Sequence, residues 1–497
     1  MRLRLPLPPG PSRLPFIGNV FKMPAVSEWE AYSRWGKEYK TDILHFGGMG
    51  QSIIVLESLE ACIEILDKRS SRYSGRHAVD GPSFLFLLRF RVSDLPDVGC
   101  RRVHRRLFNE VFHTKALMSL YPRMTESTHV FLRKMLDSGP HSVEAELRHM
   151  AGSLILDITY GIQTASDNDP YLATGEAAAH TMATAGTTGA YWVNVVPMLK
   201  HLPEWVPGAQ FKRDARAWRK VTHAFLENPY AAVKERMAIA TGDATDSFAS
   251  LALRRAESSG DLAAQEDLIK GTAASMVLGG SDSTVCNVLN FVLAMLQNPE
   301  VQDRAYAELE SVLERDQLPL HSDANRLPYL AAVVKEVLRH MPVTPITPHS
   351  YTGDVADTYR GYAIPRGSVV IANIWSIVHD ERLYPDPYAF KPERFLRSDG
   401  QLNPDVQDPM GIIFGFGRRV CPGSAMAYQS LWIVAASVLR VYKICHARRP
   451  DGSVMEVKPE YESSMVRMPH PFPCQFIPRS AALARVVRET GVDHGRS

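Results

Sequence analysis

Apolar residues recur at three- and four-residue intervals along most of this chain. That spacing predicts helices over 29–39, 59–70, 101–111, 143–160, 170–184, 214–226, 271–297, 330–340 and 424–442. Within 59–70, Leu59, Cys62, Ile63 and Leu66 share one face. Strands are predicted at 41–46 and 52–56, split by Gly47-Gly48-Met49-Gly50, and at 359–364 and 368–372 around Pro365-Arg366-Gly367. Prolines 342, 345 and 348 force 342–348 to be extended, and a short helix begins at Ile374. Between 120 and 265, prolines and glycines separate the helical patterns, and 192–205 reads as a loop. The stretch 77–100 follows no period, with apolar Ser83-Phe84-Leu85-Phe86-Leu87-Leu88 ahead of polar Asp94-Leu95-Pro96-Asp97. The pattern is mostly helical until about residue 350, without internal repeats or low-complexity blocks.

Composition narrows the class. The 497 residues are 45% apolar and 22% charged, enough for a substantial core. A net charge of +2, from 56 basic and 54 acidic side chains, argues against binding driven by nucleic-acid phosphates. Cys62, Cys100, Cys286, Cys421, Cys445 and Cys474 are scattered without a Cys-x-x-Cys pair, which points to a reducing compartment. The division expected is a Pro-rich lead-in over 1–24, one unit over 25–478 and a polar tail over 479–497. Neither a signal peptide nor a run of roughly 20 apolar residues precedes Pro8-Pro9-Gly10-Pro11.

Candidate chemistry concentrates in Phe414-Gly415-Phe416-Gly417-Arg418-Arg419-Val420-Cys421-Pro422-Gly423. Cys421 stands just ahead of the helix predicted over 424–442. Unpaired N–H groups and the positive end of the helix dipole there favour a thiolate. The glycines let the backbone approach whatever the sulfur holds. A buried structural cysteine beside a Gly-rich turn is the bland alternative. The segment resembles the haem-ligand loop of the cytochrome P450 superfamily, Phe-x-x-Gly-x-Arg-x-Cys-x-Gly. Phe414, Gly417, Arg419, Cys421 and Gly423 match every fixed position. The resemblance implies the family's mainly α fold with a small β region, and haem b between a long helix and this loop. Cys421 would be its axial iron ligand, with Phe414, Gly415, Arg419 and Gly423 around it.

The long helix over 271–297 carries Gly279-Gly280-Ser281-Asp282-Ser283-Thr284. Its polar centre rules out a membrane span, and paired glycines beside Ser283 and Thr284 invite a kink. Alone it could be a small-residue packing patch. Beside the cysteine loop it resembles the family's oxygen-activating motif, Gly-Gly-x-Asp-Thr-Thr, with Asp282 as the acid and Ser283 in place of the first threonine. Asp282, Ser283 and Thr284 are then the catalytic candidates, aimed at the haem by the kink. Glu336 and Arg339, at i and i+3 on one helix face, resemble the family's Glu-x-x-Arg pair, and Arg394 in Pro392-Glu393-Arg394-Phe395 its partner arginine. The basic run Arg101, Arg102, His104, Arg105, Arg106 reads as a solvated or partner-facing helix. By resemblance to Trp-x-x-x-Arg, Arg105 reaches a haem propionate, and Arg101 replaces the tryptophan. His349 holds the place of another propionate-binding residue. Phe84, Phe86, Leu88, Val343, Ile346, Val466 and Met468 supply an apolar substrate lining.

The resemblance spans roughly residues 6–478 and is greatest to fungal secondary-metabolism members. It implies a monooxygenase that inserts one atom of O2 into an apolar substrate such as a terpenoid or an aromatic. Electrons would come from NADPH through NADPH–cytochrome P450 reductase, an acidic partner suited to Arg418. It further implies a monomer at a membrane surface. If an anchor helix preceding the Pro-rich hinge is missing from this sequence, the place is the cytosolic face of the endoplasmic reticulum; otherwise it is cytoplasmic or peripheral. Two alternatives stand beside it: a reductase-independent haem-thiolate isomerase or dehydratase, and a degenerate haem-binding protein without turnover.

Overall fold

The computed structural model describes residues 5–15, 18–24, 26–48, 51–75, 98–137, 143–186, 201–239, 246–464 and 466–491, and the single positions 191, 193 and 199. Its helices begin with α1 (Glu28–Glu38), α2 (Leu59–Cys62), α3 (Val98–Phe112), α4 (Thr114–Asp137), α5 (Val143–Tyr160), α6 (Pro170–Gly186), α7 (Gln210–Ile239) and α8 (Phe248–Ser258). They continue with α9 (Leu262–Gly280), α10 (Asp282–Gln297), α11 (Pro299–Val312), α12 (Pro328–His340), α13 (Ile374–Val378), α14 (Met410–Ile413), α15 (Ser424–Val441) and α16 (Ala481–Glu489). The strands are β1 (Ile43–Gly48), β2 (Gln51–Leu56), β3 (Ile346–Ser350), β4 (Asp357–Tyr359), β5 (Tyr362–Ile364), β6 (Val369–Asn373), β7 (Tyr442–His446) and β8 (Cys474–Pro478).

The long apolar stretch becomes the axis of the molecule. Residues 284–296 of α10 are all buried, because apolar side chains surround the helix on every side. Helices α5, α12 and α15 pack on it and share one large apolar core with Trp432, Phe291 and Leu147. The segment Gln265–Gln297 is long and apolar enough to cross a membrane, but 67% of its most apolar window lies inside this core. A second core, holding Ile54, Ile65, Leu66, Tyr73, Ile412 and Phe416, sits under the larger sheet. That sheet has the order β1-β2-β6-β3, with β2 and β6 parallel and the other pairs antiparallel. Strands β4-β5 and β7-β8 form separate two-stranded sheets.

Four expectations are corrected. The single strand over 359–364 is a hairpin, β4 and β5, turned by Arg360 (φ 47) and Gly361 (φ 82); two positive φ values in succession are the two-residue hairpin geometry. The helix over 59–70 passes into a π-helical turn, Ile63–Lys68. Its wider winding moves the inward face, so Ile63 is exposed while Ile65 and Leu66 are buried. Not every proline between 120 and 265 separates helices: Pro122 and Pro229 lie inside α4 and α7, where packing overrides the lost hydrogen bond. The polar tail is folded across 481–489 as α16. Ser480 caps it, Leu483 and Val487 are buried, and Arg488 pairs with Asp137 of α4 at 3.1 Å. Each buried aliphatic side chain there contributes about 1.5–3 kcal/mol, enough to dock a helix this short.

Candidate functional site

The cysteine loop is built from both cores. Phe416 buries into the second core and anchors it, while Phe414 is half-buried. Gly415 (φ 79) and Gly417 (φ 57) take left-handed backbone that other side chains resist. Residues Gly417–Arg419 form a 3-10 turn, and the Cys421 N–H donates to the Phe414 carbonyl at 2.8 Å, closing the loop. Gly423 is the N-cap residue of α15. Cys421 is exposed, whereas Cys62, Cys286 and Cys474 are buried. Although part of the residue is accessible, enough protein crowds the sulfur that burial pushes the thiol's pKa up. The Gly423 N–H and the Arg105 guanidinium pull it the other way but do not prevail. The helix terminus alone implied the opposite direction; a coordinated metal deprotonates such a thiol outright.

Basic side chains converge on this loop. Arg105 of α3 donates to the carbonyl of Arg418 and, at 2.6 Å, to that of Val420. Arg419 donates to the Ser74 carbonyl at 2.8 Å, and His349, 3% exposed on β3, bonds through Nδ1 to the neighbouring Tyr73 carbonyl at 3.1 Å. The 73–74 backbone thus holds Arg419 and His349 side by side. Arg101 belongs to α3, with its side chain outside the described residues. The basic run is not wholly solvated: His104 is buried and shares a 2.6 Å hydrogen bond with Thr272, and burial lowers its pKa.

The expected kink is a break. α9 ends at Gly280, Ser281 has φ −80 and ψ −76, and α10 begins at Asp282. A Cβ at Gly280 would meet Ile155 at 2.9 Å, so its absence lets α9 lie on α5; the side of Gly279 is open. Hydroxyls satisfy the carbonyls near the break: Ser283 donates to Gly279 at 2.6 Å and Thr284 to Gly280 at 2.7 Å. Asp282 is tied to a neighbouring helix. Arg148 of α5 holds its carboxylate at 2.9 Å while also pairing with Glu144 at 2.9 Å. Consecutive helical residues point about 100° apart, which separates the acid from the hydroxyl. A cleft lined by Arg148, Gly152, Ser281 and Asp282 opens at this point.

Glu336, Arg339 and Arg394 come together as expected. Arg339 grips both oxygens of Glu336 at 2.7 and 2.8 Å, and Arg394 joins at 3.2 Å. Glu336 and Arg339 are fully buried, and the Arg339 and Arg394 guanidiniums also donate to the carbonyls of Val378 and Pro385.

Of the substrate-lining residues, Val343 and Val466 are half-buried and their segments meet where the Arg467 N–H donates to the Val343 carbonyl at 2.8 Å. Two other candidates pack within cores. Ile346 packs with Tyr32, Phe46 and Val55, and alternation along β3 puts it opposite Thr347 and His349. Met468 is 7% exposed within the main core. Phe84, Phe86 and Leu88 lie outside the described residues. Sequence reasoning missed Arg148 and Ser74, which carry no local motif.

The donor set fits a haem: an exposed cysteine on a glycine-lined loop, the cationic and imidazole side chains of Arg105, Arg419 and His349 beside it, and open space at Gly279. The family model for cytochrome P450 matches residues 8–471. The chain is 43% identical over 491 residues to cytochrome P450 monooxygenase 98 of Postia placenta, covering 98% of this chain and 93% of that protein. It is 40% identical over 491 residues to cytochrome P450 monooxygenase ple1 of Rhodocybe pseudopiperita, covering 97% and 91%. To tryptamine 4-monooxygenase of Psilocybe cyanescens it is 37% identical over 485 residues, covering 97% and 94%. Matches of this length, on a helical scaffold that carries the cysteine loop, mean that the chain belongs to the cytochrome P450 family and is a haem-thiolate monooxygenase.

Proposed function

We propose that Cys421 is the axial ligand of haem b, and that the chain oxidises an apolar organic substrate at a site bounded by Val343 and Val466. Phe84, Phe86 and Leu88 complete the lining in this reading. Family membership brings a redox partner, O2 and an organic substrate. The haem, when bound, supplies dioxygen activation, with the thiolate donating electron density to iron.

Everything else falls to the chain. Arg105, Arg419 and His349, with Arg101, hold the propionates. The Ser283 proton is committed to the Gly279 carbonyl, so its oxygen accepts a hydrogen bond from whatever polar group lies near it. Asp282, half-exposed and tethered by Arg148, exchanges protons with solvent through the cleft and passes them toward Ser283 when the tether loosens. Thr284 caps Gly280 and maintains the break. The Glu336 cluster fixes the core behind the loop. Electrons arrive from NADPH–cytochrome P450 reductase at the face carrying exposed Arg106 and Arg418. In this reading the protein works as a monomer at a membrane surface.

The observation that carries this reading is the loop closed from Phe414 to Cys421, with Cys421 an exposed residue at its end. Its test is the absorption spectrum of the dithionite-reduced protein under carbon monoxide, beside Cys421→Ser. The expected result is a strongly red-shifted Soret band in the parent that the variant lacks. A band that survives the substitution removes Cys421 as the ligand.

A further inference from the structure

The cysteine loop rests on the backbone of the π-helical turn Ile63–Lys68 at Gly417. A Cβ at Gly417 would collide with the Leu66 carbonyl and crowd Ser70. At this contact the Gly417 N–H donates to Asp67 Oδ1. Among the described residues it is the one hydrogen bond that the Asp67 side chain makes. Its charged neighbours are engaged elsewhere: Lys68 and Arg69 with Glu64 at 3.0 and 2.8 Å, and Arg69 with Asp357 at 3.3 Å. The turn is not free to drift, because Ile65 and Leu66 are buried in the second core together with Phe416 of the loop. The π winding matters here. Where α winding would have turned Ile63 inward, it leaves Asp67 exposed beside the loop and Leu66 beneath it.

From Gly417 the linkage continues to the sulfur. The Gly417 carbonyl accepts the Val420 N–H at 3.3 Å, and the Val420 carbonyl accepts Arg105 at 2.6 Å. The peptide units leading into Cys421 are therefore held by a carboxylate on one side and a guanidinium on the other. These bonds act on backbone that three glycines leave loose.

We propose that Asp67 is a positioning residue for the thiolate: its carboxylate fixes Gly417 and so sets the register in which Cys421 meets the iron. This rests on the assignment of Cys421 as the haem ligand. The test compares haem-loaded, full-length Asp67→Ala and Asp67→Asn with the parent. Asp323→Ala serves as a control, because it removes a buried carboxylate that accepts the Leu320 N–H elsewhere in the chain. Two quantities are read: amide hydrogen exchange of the peptide spanning 414–420, and the fraction of the reduced carbon monoxide complex in the strongly red-shifted band.

The expectation is that Asp67→Ala speeds loop exchange by about tenfold and moves a growing fraction into the less-shifted band on mild warming. Asp67→Asn, which keeps an acceptor, stays near the parent, and Asp323→Ala loses thermal stability with its band intact. Parent-like exchange and band in Asp67→Ala overturn the proposal, as does an equal band loss in Asp323→Ala at matched melting temperature. If Asp67→Ala cannot be loaded with haem, Asp67→Asn decides: a parent-like spectrum supports the role, and the same failure overturns it. A wrong ligand assignment is recognised separately, by Cys421→Ser retaining the red-shifted band whatever Asp67 does.

Discussion

Two clusters of arginine and carboxylate flank the central helix, and they differ in almost everything but composition. Around Glu336, Arg339 and Arg394, side-chain exposure is 0%, 0% and 8%, and backbone carbonyls take up spare guanidinium donors. Around Arg148, Asp282 and Glu144 each partner is about a third exposed, and a cleft reaches the acid. Sealed ions cannot change partners without leaving a charge unsolvated, so the first cluster holds a shape. Ions at a rim exchange partners with water at little cost, which suits the second to the relay role proposed for Asp282. Burial, rather than residue identity, separates the two clusters.

The sharpest way to break this contrast is Glu336→Gln. It strands two guanidiniums in the core and is expected to destabilise by about 3–5 kcal/mol, read as a lower urea midpoint or a failure to fold. Acid gives the next largest effect. His340 adjoins Arg339 at 3.3 Å, and burial, with Arg339 beside it, pushes its pKa down to about 4. The folded protein keeps this ring neutral while the unfolded chain protonates it below about pH 6.5. Stability is thus complete above that pH and falls as pH drops towards 4, by up to about 3 kcal/mol from this group. His340→Phe is expected to flatten the melting temperature's dependence on pH in that window; an unchanged slope would mean the sealed side does not sense acid through His340. The smallest stability effect belongs to Asp282→Asn, under about 1 kcal/mol, with turnover and product formed per NADPH lowered about 100-fold. Should Asp282→Asn melt as early as Glu336→Gln, the rim cluster is structural and the contrast collapses.

What could be read from the chain alone follows from distance along it. The cysteine loop, the break beside Gly280 and the Glu336–Arg339 pair are local, so spacing carries them. The partners that give them their setting are remote: Arg148 lies 134 residues from Asp282, and Asp67 is 350 residues from Gly417. No period or motif encodes such pairings. The π-helical turn escaped because its apolar residues fit an α pattern equally well until packing chose Ile65 over Ile63. The hairpin at Arg360-Gly361 escaped because arginine seldom takes a positive φ. Helix α16 was hidden by its charges, with Leu483 and Val487 as its buried contribution.

The parallel pairing of β2 with β6 has a consequence in time. Ile53 aligns with Val369, and the neighbouring Glu57 and Asn373, joined at 3.1 Å, are 316 residues apart. At ribosomal rates of about 5–20 residues per second, the first hairpin waits on the order of tens of seconds for its partner strand. Closing so long a loop is entropically slow even then, and helices from the intervening chain can assemble meanwhile. The edge of β2 that will pair with β6 stays open throughout that interval, an unpaired strand edge of the kind that invites wrong partners during synthesis.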